Sequence, residues 1–559
     1  MALAAGVLPI ALNAGASLGA EQIRLTYGAV ERTISVESLA TYAREGEMSA
    51  DLRAYIRYIN QPQLQNLRQV LNARADFSPV AVSQFLYSDQ GEILLRQLGE
   101  VIRTDANLSG FYALRSALIL AAADPDGLTL LNVLKEFPLK SVRIDLGHTL
   151  QLTRNLESLI QQTQDAVALV TEQSALESYL TSWISFKTMP DLRQPGTLTW
   201  QLRTIMLHDV QRDRSFPADI YLPQTQEEEP LKAAPLVVIS HGLGSDRSTY
   251  AYLAKHLASY GFVVAVPEHP GSNAQQLQDL ISGRASQVTE PYEFVNRPLD
   301  IQYLLDELDY LTHTDPTLRG RIDLEKVGVL GQSMGAYTGL ALAGAQINTQ
   351  QLNQDCTTNT LNLSLLLQCR ALNLPHSIPT LRDDRIKAVV AINPIGSSLL
   401  GEAGYASLRT PVMIVSSSAD TIAPALPEQI RPFTWLQTPN RYLLLLQGGT
   451  HFSSIDVPDP EGSARGELVQ LPAQLVGPNP AIAHRYLKGL SLSFFATYVA
   501  ANPNYQPYLE ASYATHISQT AMPARLVRSL TPMQLVKAID EQVIETAFPG
   551  SNALSQREE

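Results

Sequence analysis

Short continuous apolar runs dominate the second half of the chain. They are Pro235-Leu-Val-Val-Ile-Ser240, Lys326-Val-Gly-Val-Leu330, Lys387-Ala-Val-Val-Ala-Ile392, Pro411-Val-Met-Ile-Val415 and Tyr442-Leu-Leu-Leu-Leu-Gln447. Runs of this length without alternation predict strands buried on both faces, the pattern of a parallel sheet covered by helices. Apolar positions at helical spacing predict helices at 337–344, directly after the second run, and at 531–546. Upstream the pattern is different. Ser78-Pro79 offers a helix cap and first-turn proline before residues 80–86. Residues 110–123 read as an Ala- and Leu-rich buried helix ended by Asp124-Pro-Asp-Gly127, and 157–180 as a long amphipathic helix. Residues 197–207 and 218–222 predict antiparallel strands around a charged turn at 211–217, and 224–230 reads as an acidic solvated loop. No convincing internal repeat or low-complexity run is present.

The second apolar run leads straight into Gly331-Gln332-Ser333-Met334-Gly335 and then into a helix. A strand, a Gly-x-Ser-x-Gly turn and a helix together expose a serine hydroxyl at a sharp bend, where a base and oxyanion donors can reach it. Ser333 is the candidate nucleophile. The fourth run ends at Ala419-Asp420-Thr421-Ile422-Ala423-Pro424, and the fifth at Gly448-Gly449-Thr450-His451-Phe452. Ser333, Asp420 and His451 thus follow in the order serine, acid, histidine at three strand ends on one sheet edge.

Ten histidines compete for the role of base. His148, His208, His241, His256, His269 and His313 precede the serine and break the order. His376 falls in an insertion, and His484 and His516 in helix-like segments. Among carboxylates, the run at 387–392 ends in Asn393-Pro394, Asp383 and Asp384 lie at its wrong end, and Asp456 and Asp459 follow the histidine. Asp420 is the acid that remains. The oxyanion hole is assigned to the amides of Met334, after the nucleophile, and Leu243, in the turn His241-Gly242-Leu243-Gly244 after the first run. His241 is read as a prop for that turn.

The segments Ile239-Ser-His-Gly-Leu-Gly244, Gly261-Phe-Val-Val-Ala-Val-Pro-Glu-His-Pro-Gly-Ser272, Arg297-Pro-Leu-Asp-Ile301 and Gly331-Gln-Ser-Met-Gly335, with Asp420 and His451, resemble the α/β-hydrolase superfamily. The likeness is strongest to dienelactone-hydrolase-like and platelet-activating-factor-acetylhydrolase-like serine esterases. The acid loop is similar to that of bacterial polyester hydrolases and cutinase-like lipases. True dienelactone hydrolases typically carry a cysteine nucleophile, so Ser333 favours ester hydrolysis over lactone opening. The resemblance spans roughly 196–502. Residues from about 21 to 190 resemble a helical domain of unknown function that precedes such hydrolases in bacterial proteins. It implies an α/β fold, an α/β-hydrolase sheet flanked by helices and preceded by a helical N-terminal domain. The expected division is an apolar, signal-like leader at 1–20, a helical domain at 21–190, the catalytic domain at 191–505 and a helical tail at 506–559.

The remaining features narrow the function. The chain has 559 residues and a formal net charge of −13. An acidic balance argues against nucleic acid as a partner and against anionic lipid surfaces. No apolar run is long enough for a membrane span. The leader has an apolar stretch and a small-x-small site at Ala14-Gly-Ala16 but no basic start, so the expectation is export to the periplasm or exterior, with the cytoplasm as the alternative. The two cysteines, Cys356 and Cys369, bracket one loop in an insertion at 345–384, and the expectation is a disulfide if the protein is exported. A second insertion covers 452–480. Residues 361–367 form an apolar cluster that fits a lid, and Tyr250 and Phe452 are candidates to line the pocket. No metal or organic cofactor is expected, and no protein partner is identifiable. The function these features imply is serine carboxylic-ester hydrolysis of a small or lipid ester through an acyl-enzyme. A noncatalytic hydrolase-like binding scaffold and an acyltransferase with the same triad are the alternatives.

Overall fold

The computed structural model describes residues 19–28, 30–56, 61–75, 77–224, 233–356, 362–456, 477 and 479–547. Residues 1–18 of the leader, the centre of the second insertion and 225–230 of the acidic loop lie outside the described residues. The chain divides into two compact units, one of residues up to 156 together with Asp279–Val288, the other of 157–278 with 289–559. The long helix runs from Leu146 to Leu180, and the division falls within it rather than at 190.

The first unit is rich in helices, as its sequence implies. Ser78 caps the helix Pro79–Leu86 by accepting a hydrogen bond from the Ala81 amide at 3.1 Å, and Phe111–Ala123 is a helix ending before Asp124. It also holds strands that the sequence pattern does not announce. β1 (Gln22–Tyr27), β2 (Val30–Ser35), β4 (Ile102–Thr104) and β6 (Ser141–Asp145) form a four-stranded sheet in the order β2-β1-β6-β4, while β3 (Arg74–Ala75) and β5 (Leu128–Thr129) pair separately. The core is small and centred on Leu39, Leu95, Leu114, Ala117 and Val142. Next to β2, the Asp51 carboxylate accepts hydrogen bonds from the Ser35 and Leu52 amides and from the Ser38 and Ser49 hydroxyls. Partial burial pushes the Asp51 pKa up, but these donors outweigh it and bring it down to about 2.

The second unit is built on β7 (Thr199–Asp209), β8 (Arg214–Gln224), β9 (Ala234–Ser240), β10 (Val263–Pro267), β11 (Ile322–Gln332), β12 (Ile386–Ile392), β13 (Val412–Ser417), β14 (Arg441–Leu446) and β15 (Ala524–Val527). These form one sheet in the order β15-β14-β13-β12-β11-β9-β10-β8-β7. The six central strands are parallel, while β8, β7 and β15 join antiparallel at the two sides. Successive residues of β9 show why these runs are continuous rather than alternating. Leu236 and Val238 enter a core shared with the helices Glu293–Thr314 and Met334–Leu342. Val237 and Ile239 enter another, shared with Ala251–Ser259 and Pro480–Tyr498. Both faces are dry, so Leu236 to Ile239 are all apolar, and the one polar side chain of the strand, Ser240 at its end, is buried with its hydroxyl 3.0 Å from His269 Nε2.

The tail contributes more than the expected helix. Its strand β15 pairs with β14, Val527 opposite Leu443, and the helix Pro532–Ala547 buries Leu535 and Ile539 in the first of these cores. The sheet is therefore complete only at residue 527. Among the described residues no helix is long and apolar enough to cross a membrane.

Candidate active site

Chain order reverses across the sheet between β9 and β11, which lie side by side although β10 follows β9 in sequence. Open α/β sheets leave a crevice at such a switch point, outside the carboxyl ends of the strands. Ser333 stands there, between the end of β11 and the first residue of the helix Met334–Leu342. Its backbone angles are φ 55° and ψ −117°, a conformation that side chains with a Cβ avoid. Holding it costs on the order of 1–3 kcal/mol, which the surroundings must over-determine. They do so through hydrogen bonds: the Ser333 amide donates to the Ile392 carbonyl at 2.9 Å, and its carbonyl accepts from the Ala336 and Tyr337 amides at 3.0 and 3.1 Å. The flanking glycines are steric requirements. A Cβ on Gly331 would lie 2.1 Å from the Gly335 carbonyl oxygen, and one on Gly335 would lie 2.1 Å from that of Ser240.

Asp420 follows β13 and His451 follows β14. The imidazole Nδ1 of His451 lies 2.7 Å from Asp420 Oδ2. The other carboxylate oxygen accepts hydrogen bonds from the Ile422 and Ala423 amides at 2.9 and 2.8 Å. The acid loop thus fixes its own carboxylate, which fixes the ring. With Nδ1 engaged, Nε2 is the nitrogen left to exchange a proton. Ser333, Asp420 and His451 are each buried, at 4–6% exposure, so the hydrogen-bonded pair of Asp420 and His451 sits in a low-dielectric setting.

The turn after β9 is held from beneath by Arg297, a fully buried guanidinium. It donates to the carbonyls of His241 at 2.6 Å, Gly242 at 3.3 Å and Ser272 at 3.3 Å, and to the Ser272 hydroxyl at 2.8 Å. Its pKa is lowered to about 10 by burial. His241 is locked as a neutral ring: Nδ1 lies 2.8 Å from the Gly242 carbonyl and Nε2 accepts from the His269 amide at 3.1 Å. Burial, with Arg297 and His269 nearby, drives its pKa well below the usual range. Both nitrogens are occupied by the backbone, so His241 supports the turn. Leu243 stands in this turn, and Met334 opens the helix whose N-terminal end faces the site.

A second serine–histidine–aspartate line lies below. His269 Nε2 is 3.0 Å from the Ser240 hydroxyl and Nδ1 is 3.0 Å from Asp300 Oδ2. All three side chains are 0% exposed, so no substrate can reach them. Burial first, then the charges of Arg297, Arg214 and Arg212, lower the His269 pKa well below its usual value. The contact with Asp300 is therefore a hydrogen bond to a neutral ring rather than an ion pair. Asp300 finds its countercharges in Arg212 at 2.9 Å and Arg214 at 2.7 Å, and Arg214 also pairs with Glu293 at 2.8 Å. Sequence reasoning overlooked this support. The segments that carry Ser240, His269, Arg297 and Asp300 contribute to the family resemblance, but the sequence reading assigned them no supporting role.

The expected pocket residues part company. Tyr250 does not line a pocket: it is 1% exposed, packs in the core under the sheet and shares a hydrogen bond with the Ser454 hydroxyl at 2.9 Å. A tyrosine between the turn after β9 and a helix is as well placed to face the core as the crevice, and here it joins the core cluster that holds Leu253 and Leu257. Phe452 is half-buried, its ring edge-on to His451 with centroids 5.1 Å apart. Cys356 and Cys369 are joined as a disulfide. Within the insertion, Leu365 is buried and Leu363 exposed, and the Ser364 amide donates to the Ile422 carbonyl of the acid loop at 2.9 Å. Leu361 lies outside the described residues. Among the described residues no cluster of three or more His, Cys, Asp or Glu side chains could hold a metal ion.

Two family models match parts of the chain: an alpha/beta hydrolase family of unknown function over residues 19–145, and platelet-activating factor acetylhydrolase, isoform II, over 198–292. The second match takes in the turn after β9 and stops before Ser333. Platelet-activating factor acetylhydrolase of Cavia porcellus is 23% identical over 50% of this chain and 61% of its own length. Cutinase 2 of Thermobifida cellulosilytica is 26% identical over 39% and 60%, and bis(hydroxyethyl) terephthalate hydrolase of Streptomyces coelicolor 27% identical over 42% and 54%. The chain spans less than two thirds of the length of each of these relatives. Family matches, relatives and sheet together bear out the α/β-hydrolase resemblance and the α/β-hydrolase fold.

Proposed function

We propose that this protein is a serine carboxylic-ester hydrolase acting through Ser333, His451 and Asp420. The observation that carries the reading is the 2.7 Å contact between His451 Nδ1 and Asp420 Oδ2 beside a serine held at φ 55°. Ser333 Oγ attacks the ester carbonyl carbon while His451 Nε2 takes its proton. The carbonyl electrons move onto oxygen, where the amides of Leu243 and Met334 stabilise the oxyanion. Collapse expels the alcohol, which leaves with the proton from His451. Water repeats the sequence on the acyl-enzyme and releases the acid. Asp420 keeps the imidazole in the tautomer with hydrogen on Nδ1 and stabilises its cation.

The printed names of the relatives, an acetylhydrolase and a cutinase, support ester substrates of lipid or polyester type. Hydrolysis of p-nitrophenyl esters of increasing chain length, with fluorophosphonate labelling, tests the reading. Ser333→Ala is expected to remove labelling and to lower kcat by about 10⁶-fold in a folded protein. Turnover retained by the purified variant would overturn the assignment. Export is proposed alongside, supported by the apolar leader and by a bridged cysteine pair of the kind that persists in oxidising compartments. Two free thiols in denatured, unreduced protein from its natural compartment would count against it.

A further inference from the structure

The His451 main-chain carbonyl is the acceptor of two buried side-chain amides. Gln332 Nε2 donates to it at 3.2 Å and Asn393 Nδ2 at 3.2 Å. The two donors come from the ends of neighbouring strands, β11 and β12. Each is bonded directly to something that holds the nucleophile: Gln332 precedes Ser333, and Asn393 follows Ile392, whose carbonyl accepts the Ser333 amide at 2.9 Å. Asn393 adopts φ 42° there, a left-handed conformation that asparagine tolerates better than most residues, and also donates to the Thr450 carbonyl at 3.3 Å. On its other side the Gln332 amide presses on the turn after β9. A Cβ on Gly242 would lie 2.1 Å from Gln332 Oε1. One side chain, 2% exposed, therefore touches the histidine loop and the oxyanion turn while its backbone carries the nucleophile.

We infer that Gln332 is a positioning residue that sets the reach between Ser333 and His451 and fixes the height of the oxyanion turn. The inference rests on the triad reading above. A carbonyl oxygen has two lone pairs, and two amides from separate strands use both, which fixes the loop in two directions rather than one. Asp420 orients the ring through Nδ1, and the start of the loop is tied to the acid loop, the Ala419 amide donating to the Gly449 carbonyl at 2.8 Å and the Gly448 amide to the Ser418 hydroxyl at 2.8 Å. The clamp acts further on, at the His451 carbonyl itself. Proton transfer from Ser333 depends on a donor–acceptor distance near hydrogen-bond contact, so the clamp acts on the chemical step and not on substrate affinity.

The test compares the wild-type protein with Gln332→Met, which keeps length and bulk but cannot donate, and Gln332→Glu, which keeps shape and replaces the donor by a carboxylate. Active sites are titrated with a fluorophosphonate, and kcat is expressed per titrated site on a p-nitrophenyl ester. For Gln332→Met, kcat falls about 10- to 100-fold with KM within about 3-fold of wild type. For Gln332→Glu, a negative charge beside His451 favours the imidazolium, so the acid limb of the kcat/KM profile moves to higher pH. A side chain serving only to fill space would change the fraction of titratable sites, not kcat per site or the pH profile. If wild type is labelled at Ser333 and Gln332→Met keeps wild-type kcat per site, the inference falls and the triad reading stands. If wild type is neither labelled nor active on any ester, the triad reading falls and takes the inference with it. Should Gln332→Met yield no folded protein, a folded Gln332→Glu with wild-type kcat and an unmoved acid limb overturns the inference equally.

Discussion

The two larger sheets among the described residues are built on opposite plans. The nine-stranded sheet is dry on both faces, and its central strands carry Val, Ile, Leu and Ala almost without interruption. The four-stranded sheet is short, and its edge strand β2 exposes Val30, Glu31, Arg32 and Thr33 before burying Ile34. Every candidate catalytic residue stands at a strand end of the first, and none belongs to the second. A sheet enclosed on both faces gives strand ends that hardly move, which is what a triad drawn from three loops needs. A small sheet with one wet edge has less burial behind it and offers no such platform.

Three measurements press on this contrast. Asp420→Asn has the largest effect. It keeps the shape of the side chain and removes the charge that orients His451, so activity falls about 10⁴-fold with the fold intact. A rate unchanged by the substitution would assign the acid to another carboxylate. Leu95→Ala is the mirror experiment in the other unit. Leu95 is 0% exposed in the small core, and its truncation should destabilise that unit by about 2–5 kcal/mol. The kcat on a p-nitrophenyl ester, measured below the new unfolding transition, should remain at the wild-type value. A parallel fall in kcat would mean that the units do not divide stability from chemistry. The smallest effect concerns acid. The Asp51 pKa is about 2 in the folded protein against an ordinary value of 3.8, so its hydrogen bonds stabilise the first unit above pH 4 and are lost as pH falls through about 2. Asp51→Asn should flatten that part of the stability profile, followed by circular dichroism. An identical acid transition in both proteins would remove Asp51 from the account.

Much of the site was legible in the chain itself. The candidates Ser333, Asp420 and His451 are each singled out at the end of an apolar run, Ser333 by the Gly-x-Ser-x-Gly turn, Asp420 also by elimination of the other carboxylates, and His451 by its place after the acid. The disulfide partners could be named because the chain has only two cysteines. Tyr250 is expected at the pocket and lies in the core, because a tyrosine next to the turn after β9 has the same sequence neighbours whether it faces core or crevice. β15 was missed for a related reason: Ala524-Arg-Leu-Val527 is too short to show a period, and its pairing with β14 supplies the hydrogen bonds that make it a strand.

The sequence by itself determined the order of the sheet-forming runs, the bend at Ser333 and the succession serine, acid, histidine. These are local properties: a dry strand must be apolar along its length, and a turn this tight must have glycine where a Cβ would strike a carbonyl. Only the tertiary structure decided what holds the loops that carry those residues. Arg297 reaches the His241 carbonyl 56 residues away and Gln332 that of His451 119 residues away. Neither contact leaves a mark on neighbouring positions, because a side chain that bonds to a distant backbone carbonyl constrains where that carbonyl is and not which residue bears it.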